Sequence, residues 1–193
     1  LDIAVPVGIS YYTFMAIGYL VDVWRGTVKA EKSLWRFALF ISFFPQLVQG
    51  PISRYGDLSE TIYSEHAFDK SGFLRGFERV LWGFFKKLVI ADRIFIAVGR
   101  IIGDSGAYQG GFALVGMFLY TVELYADFTG GIDITIGVAE MLGIRLAENF
   151  TRPYFSTSLK EYWRRWHITM CSWFRDYVFY PVSSSKWMQK FTK

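Results

Sequence analysis

The sequence predicts an all-α, polytopic membrane protein, and three observations carry that expectation. Of the 193 residues, 52% are hydrophobic and 20% aromatic, far too apolar for a disordered chain and richer in large rings than one small core can cover. Three stretches, 3–21, 37–53 and 105–122, hold no charged residue and approach the length of a bilayer span. No segment shows the alternation and turn spacing of a β-barrel. The competing reading is a soluble all-helical protein with buried core helices.

Each span has its own character. The first, 3–21, follows only Asp2 and is interrupted by Pro6, so it lacks the basic leader of a signal peptide. The chain opens on Leu1 rather than Met and reads as an interior piece of a longer polypeptide. Pro45, Gln46, Gln49, Gly50 and Pro51 break the second span, and a glycine-rich turn, 106–111, opens the third. A mean hydropathy of +0.24 agrees with helices that are short, broken or interfacial. Arg25, Lys29, Lys32 and Arg36 follow the first span, which sets that loop in the cytoplasm if the positive-inside rule holds. His66 lies in the mixed-charge loop 54–70 and reads as an exposed loop histidine.

Between 73 and 102 the pattern fits a helix on which Arg75, Arg79, Lys86, Arg93 and Arg100 fall within a sector of about 60°. Such a cationic stripe suits an interfacial helix facing phosphates or water, with snorkelling to headgroups weighed against a substrate role. Glu123 and Asp127 share a helix face, and Asp133 follows beyond Gly130 and Gly131. Carboxylates at membrane depth face a cavity, a cation or another helix. The two glycines are expected to break the helix there, so Asp133 could equally sit at a helix N-terminus.

The segment 156–181 reads as a two-faced helix capped near Ser158, with Glu161 completing a capping box. Its projection sets Lys160, Arg164, His167, Cys171 and Arg175 on one side and Trp163, Trp166 and Trp173 on another. An imidazole among cations and near lipid stays neutral and can accept a proton. The cationic side suits an anionic group such as a phosphopantetheine or coenzyme A phosphate, and an interfacial helix with a Trp belt is the plainer reading. Cys171, the single cysteine, excludes an internal disulfide framework and reads as a packing residue. No Gly-rich phosphate loop, serine nucleophile elbow or metalloprotease histidine pair occurs. The net charge of +4 is spread along the chain, so no nucleic acid is expected as a partner.

Five ordered motifs resemble one known family, the membrane-bound O-acyltransferases (MBOAT), in its bacterial branch of alginate O-acetyltransferases and teichoic-acid D-alanyl transferases. They are 6–26 (PVGISYYTFMAIGYLVDVWRG), 44–57 (FPQLVQGPISRYGD), 84–92 (FFKKLVIAD), 123–137 (ELYADFTGGIDITIG) and 148–181, which holds ENFTRPYFS, WRRWHIT and WFRDYVFYP. The departure is at Thr129, Gly130, Gly131 and Ile132, where relatives carry Ser-Gly-Tyr-Ser.

The resemblance implies a single partial domain over 1–193, part of a helical ring with broken, re-entrant and interfacial helices around a tunnel. It implies transfer of an acyl group, acetyl or D-alanyl in type, from a carrier thioester to a hydroxyl of a cell-envelope polysaccharide or relay protein. His167 matches the first of two characteristic histidines, in the tunnel wall; the second, in a Trp-His-Gly context, is the usual base and lies beyond Lys193. The 193 residues alone are therefore expected to be inactive. Gln49, Arg54, Asp127, Trp163, Arg164 and Arg175 match motif positions as substrate or tunnel-lining candidates; Asn149 and Asp176 also match motif positions, in roles that could be scaffold. No bound cofactor and no metal are expected; the donor is a thioester of an acyl carrier protein or coenzyme A. The implied partners are membrane lipid, a donor carrier on the cytoplasmic side, and an extracytoplasmic acceptor polymer or partner acyltransferase. The implied location is the inner (cytoplasmic) membrane, crossed several times. A transporter or flippase-like protein, suggested by broken helices and buried carboxylates, and a non-catalytic membrane scaffold are the alternatives.

Overall fold

The computed structural model describes residues 8–104 and 106–185. Their helices, in chain order, are α1 (Ile9–Arg25), α2 (Leu34–Ile41), α3 (Tyr55–Ile62), α4 (Lys70–Phe84), α5 (Asp92–Gly103), α6 (Gly111–Met141), α7 (Leu159–Arg165), α8 (Ile168–Phe174) and α9 (Tyr180–Ser183). Wider π-helical segments, Phe85–Ala91 and Arg175–Phe179, continue α4 into α5 and α8 into α9. No strand occurs among the described residues. The chain forms two compact units, one from Leu1–Ala67 with Gly143–Lys193, the other from Phe68–Leu142.

The second unit is three helices that meet at glycines. A Cβ at Gly76 would stand 2.6 Å from the Gly137 carbonyl oxygen, and one at Gly83 would stand 2.6 Å from that of Gly130. Position rises along α4 as it falls along α6, so the two helices run antiparallel, backbone against backbone. Gly130 and Gly131 were expected to break the helix; instead α6 is continuous for 31 residues. The missing side chain at Gly130 serves close helix approach rather than a turn.

The same packing corrects the cationic stripe. Arg75 pairs with Glu140 at 3.2 Å and Arg79 with Asp133 at 2.9 Å, and Lys86 also reaches Asp133. Lys87 pairs with Asp127. Three of the five stripe cations thus face carboxylates of α6, while Arg93 and Arg100, past the π segment, are exposed. Asp133 lies in mid-helix between two cations, so the expected helix-end dipole plays no part. Replacing Asp133 by Leu removes the carboxylate shared by Arg79 and Lys86, whose side chains are 24% and 12% exposed. The expected loss is about 3 kcal/mol or more in denaturant unfolding of the detergent-solubilised protein. A loss below about 1 kcal/mol would mark the pair as screened like a surface one.

Of the three charge-free stretches, one becomes a helix long and apolar enough to cross a membrane, and it begins later than expected, at Gly111. At 1.5 Å per residue α6 is about 46 Å long, beyond the roughly 30 Å of a hydrocarbon core. Only 11% of its most apolar window is buried, and Phe112, Leu114, Met117 and Phe118 point outward. The first stretch yields α1, 17 residues starting at Ile9; its residues 3–7, like Ser105 of the third, lie outside the described residues. The second is broken, as expected: α2 stops at Ile41, a short 3-10 turn spans Phe44–Gln46, and irregular chain leads to Tyr55. Gly50 is obligatory there, because a Cβ would fall 2.3 Å from the Gln46 Cα.

In the first unit α1 lies along α8 and the π segment after it. Trp173 donates from Nε1 to the Phe14 carbonyl at 3.0 Å, and its ring meets Phe14 edge-on at 4.7 Å. One turn on, Tyr177 donates its hydroxyl to Asp22 at 2.7 Å. The loop after α1 is tied back by Glu31, whose N–H donates to the Tyr19 hydroxyl and whose carboxylate accepts from Tyr55.

Candidate functional site

The site is built at a break. The helix expected over 156–181 starts as predicted, with the Ser158 hydroxyl accepting from the Glu161 N–H at 3.2 Å. Glu161 reaches back to Thr157 rather than to Ser158. The helix then ends at Arg165, Trp166 is extended, and His167 takes a left-handed conformation at φ 45°, ψ 55° before α8 begins. A left-handed non-glycine residue costs about 1–2 kcal/mol, so its surroundings must hold it.

Asn149 supplies that hold. Its backbone carbonyl accepts from the Ile168 N–H at 2.9 Å, and its side-chain Oδ1 accepts from the Thr169 N–H at 3.0 Å. The first two amides of α8 are thus capped by a residue 18 and more positions upstream. Oδ1 also takes the Thr169 hydroxyl at 3.0 Å, and that hydroxyl accepts the Ile52 N–H, likewise at 3.0 Å. Because a backbone N–H points at Oδ1, the orientation of the carboxamide is determined. The His167 Nδ1, 3.2 Å from the same oxygen, can therefore bond to it only as a donor. The imidazole is held as the Nδ1–H tautomer, with Nε2 as its basic nitrogen.

The ring is 7% exposed, with Phe150 stacked at 6.3 Å and Trp166 edge-on to Phe150. Burial pushes its pKa down to about 4, so the ring is neutral near pH 7. Of the two expected causes, nearby cations and desolvation, only desolvation acts on the ring. The break separates Lys160 and Arg164, both exposed on α7, from Arg175, which bonds Asp176 at 3.0 Å. The Trp belt is divided as well: Trp163 is 51% exposed, whereas Trp166 and Trp173 are buried.

Arg54 pairs with Asp176 and lies over the Tyr177 ring at 5.4 Å, with Arg25 also 5.4 Å from that ring. Arg25 donates to the Asp176 carbonyl at 3.1 Å, an oxygen five residues before Pro181, which has no N–H to offer it. Asp22, Arg25, Arg54 and Asp176 line a groove of about 750 Å³. A smaller cavity of about 160 Å³ is lined by Arg54, Ile168, Thr169 and Glu148. Arg54 thus touches both spaces, the second beside the residues that follow His167. Gln49 is half-buried, and Asp127, in the other unit, is bound to Lys87. Cys171 donates to the Trp166 carbonyl at 3.5 Å, consistent with packing. His66 is exposed, its Nε2 within 2.6 Å of the Thr61 carbonyl. No group of three His, Cys, Asp or Glu capable of holding a metal occurs among the described residues.

Thr169 escaped the sequence reading, since nothing local marks it. Asn149 was legible only as a motif position; its contact with His167 spans 18 residues.

Residues 27–192 match the membrane-bound O-acyltransferase family. The chain belongs to that family. It is 40% identical over 185 residues to a probable alginate O-acetylase AlgI of Pseudomonas syringae pv. tomato, covering 95% of this chain and 35% of that protein. It is 31% identical over 199 residues to a teichoic acid D-alanyltransferase of Bacillus subtilis, covering 94% and 48%. Over 214 residues it is 28% identical to a peptidoglycan O-acetyltransferase of Helicobacter pylori, covering 96% and 40%. The chain therefore spans between about a third and a half of these curated relatives. As a stretch of a membrane-bound O-acyltransferase it places a buried, neutral imidazole at the Trp166–His167 break, with an arginine-lined groove in the same unit.

Proposed function

We propose that these residues are the central part of a cell-envelope O-acyltransferase. The intact protein is a multi-pass ring of helices in the inner membrane. It takes an acyl group, acetyl or D-alanyl in type, from an acyl carrier protein or coenzyme A thioester on the cytoplasmic side. The acceptor is a hydroxyl of an envelope polysaccharide, or of a partner acyltransferase that relays the group outward. The relatives' names support this class of acyl group and of polymer acceptor. The observation that carries the reading is His167, buried and neutral at a strained break, in a chain of this family.

In the reaction the acceptor hydroxyl loses its proton to a histidine supplied from outside these residues, and its oxygen attacks the thioester carbonyl. A C–O bond forms, the C–S bond breaks, and the thiolate leaves to take up a proton. His167, with Nδ1–H held by Asn149, presents Nε2 to orient the donor or to pass that proton. Arg54, bordering both cavities, sets the donor's path with Arg175 behind Asp176. Gln49, Trp163, Arg164 and Asp127 remain wall candidates of a passage through the membrane. The transporter reading loses one of its supports, because the helix break expected at Gly130 is absent.

The test is acyl transfer by the full-length protein in vesicles, offered a labelled acyl-carrier or coenzyme A thioester and an envelope polymer. Label is expected on polymer hydroxyls or on a partner acyltransferase. Vesicles that release no label from either donor would overturn the assignment.

A further inference from the structure

We propose that Asn149 is a positioning residue for His167: its carboxamide oxygen keeps the imidazole in the Nδ1–H tautomer, without the negative charge that a carboxylate would set beside the ring. The inference rests on the reading that His167 serves acyl transfer, and deepens it.

Three observations support it. The amide orientation is imposed by the Thr169 N–H, so the contact from His167 Nδ1 at 3.2 Å is one-directional. The acceptor is rigidly seated, because Thr169 ties Asn149 to the Ile52 backbone and Asn149 itself is fully buried. The third observation concerns the charge beside the ring. Asn149 Nδ2 is buried with no hydrogen-bond partner, and an orphaned buried donor is costly. Asp would cap the same amides and suit the positive end of a helix, but its second oxygen would be a buried charge in the place where Nδ2 finds no partner. A carboxylate at this distance would also hold the imidazole in its charged form, and a charged ring has no lone pair to offer. The orphaned Nδ2–H is what remains when an acceptor is required next to the ring and a negative charge is not.

The experiment uses the full-length protein with 15N-labelled histidine, the His167 signals being assigned by their loss in His167→Gln. In the parent, Nδ1 is expected to resonate as a protonated nitrogen and Nε2 as an unprotonated one. In Asn149→Leu the two nitrogens are expected to average as tautomers exchange, and kcat is expected to fall about 10- to 100-fold with KM little changed. In Asn149→Asp, which keeps an oxygen in place and adds a negative charge, both nitrogens are expected to become protonated near neutral pH, again with reduced kcat. If Asn149→Leu does not fold, Asn149→Asp alone decides. Parent-like 15N signals in the folded variants would overturn the proposal and leave Asn149 as the cap of α8. Full activity in His167→Ala would instead sink the catalytic reading while the nitrogen signals still report the tautomer contact.

Discussion

Replacing His167 by Ala in the full-length protein is expected to cut acyl transfer by about 10²- to 10⁴-fold while leaving the amount of membrane-inserted protein unchanged. The ring lies at the break between α7 and α8, and its burial is what keeps it neutral. The backbone consequence of the change runs in the same direction for every residue but glycine, since φ stays positive. His167→Gly is therefore the control: it relieves the left-handed conformation yet lacks the imidazole, so it should fold as well and remain inactive. Transfer rates measured with labelled donor check both variants. Near-normal rates in either would reduce His167 to a scaffold residue.

The second large effect is structural. Changing Gly76 and Gly83 together to Ala is expected to disrupt the helix pair α4–α6. Each new methyl would stand 2.6 Å from a backbone oxygen of α6, with a backbone nitrogen at 2.9 Å in both cases. Backbone cannot turn aside as a flexible side chain can, so the helices must part along two turns. Overpacking of this kind costs about 1–3 kcal/mol per site, and parting also weakens the ion pairs of Arg79, Lys86 and Lys87. The readout is loss of a monodisperse species after detergent extraction. Parent-like thermal stability of the double variant would show that the two helices meet elsewhere. Gly99→Ala, at a position with nothing within 4 Å of the added Cβ, is the control expected to be neutral.

Both predictions expose how legible the molecule was. Helical class could be read from charge-free runs and the absence of strand alternation, and α4 through α5 from a clean 3.6-residue pattern. What the pattern could not convey was the partner of each face. The stripe from Arg75 to Arg100 looked like one edge for phosphates, yet carboxylates of α6 neutralise its first half. Gly130 looked like a breaker because glycine weakens an isolated helix. In contact with Gly83 the same missing side chain is what admits a second backbone. A usable signal was present: Gly76 and Gly83 lie seven apart, as do Gly130 and Gly137, which returns each pair to one face of its helix.

By itself the sequence determined the all-helical class, the membrane-bound O-acyltransferase family and the presence of one histidine in an Arg-Arg-Trp-His setting. Those properties are carried by composition and by motifs contiguous in the chain. Only the tertiary structure decided that the helix breaks at that histidine, that Asn149 caps the far side of the break, and that, of the two expected causes of a neutral ring, burial acts and the cations do not. A left-handed φ and hydrogen bonds across 18 or more residues depend on which segments meet in space, and helical periodicity records nothing of such meetings.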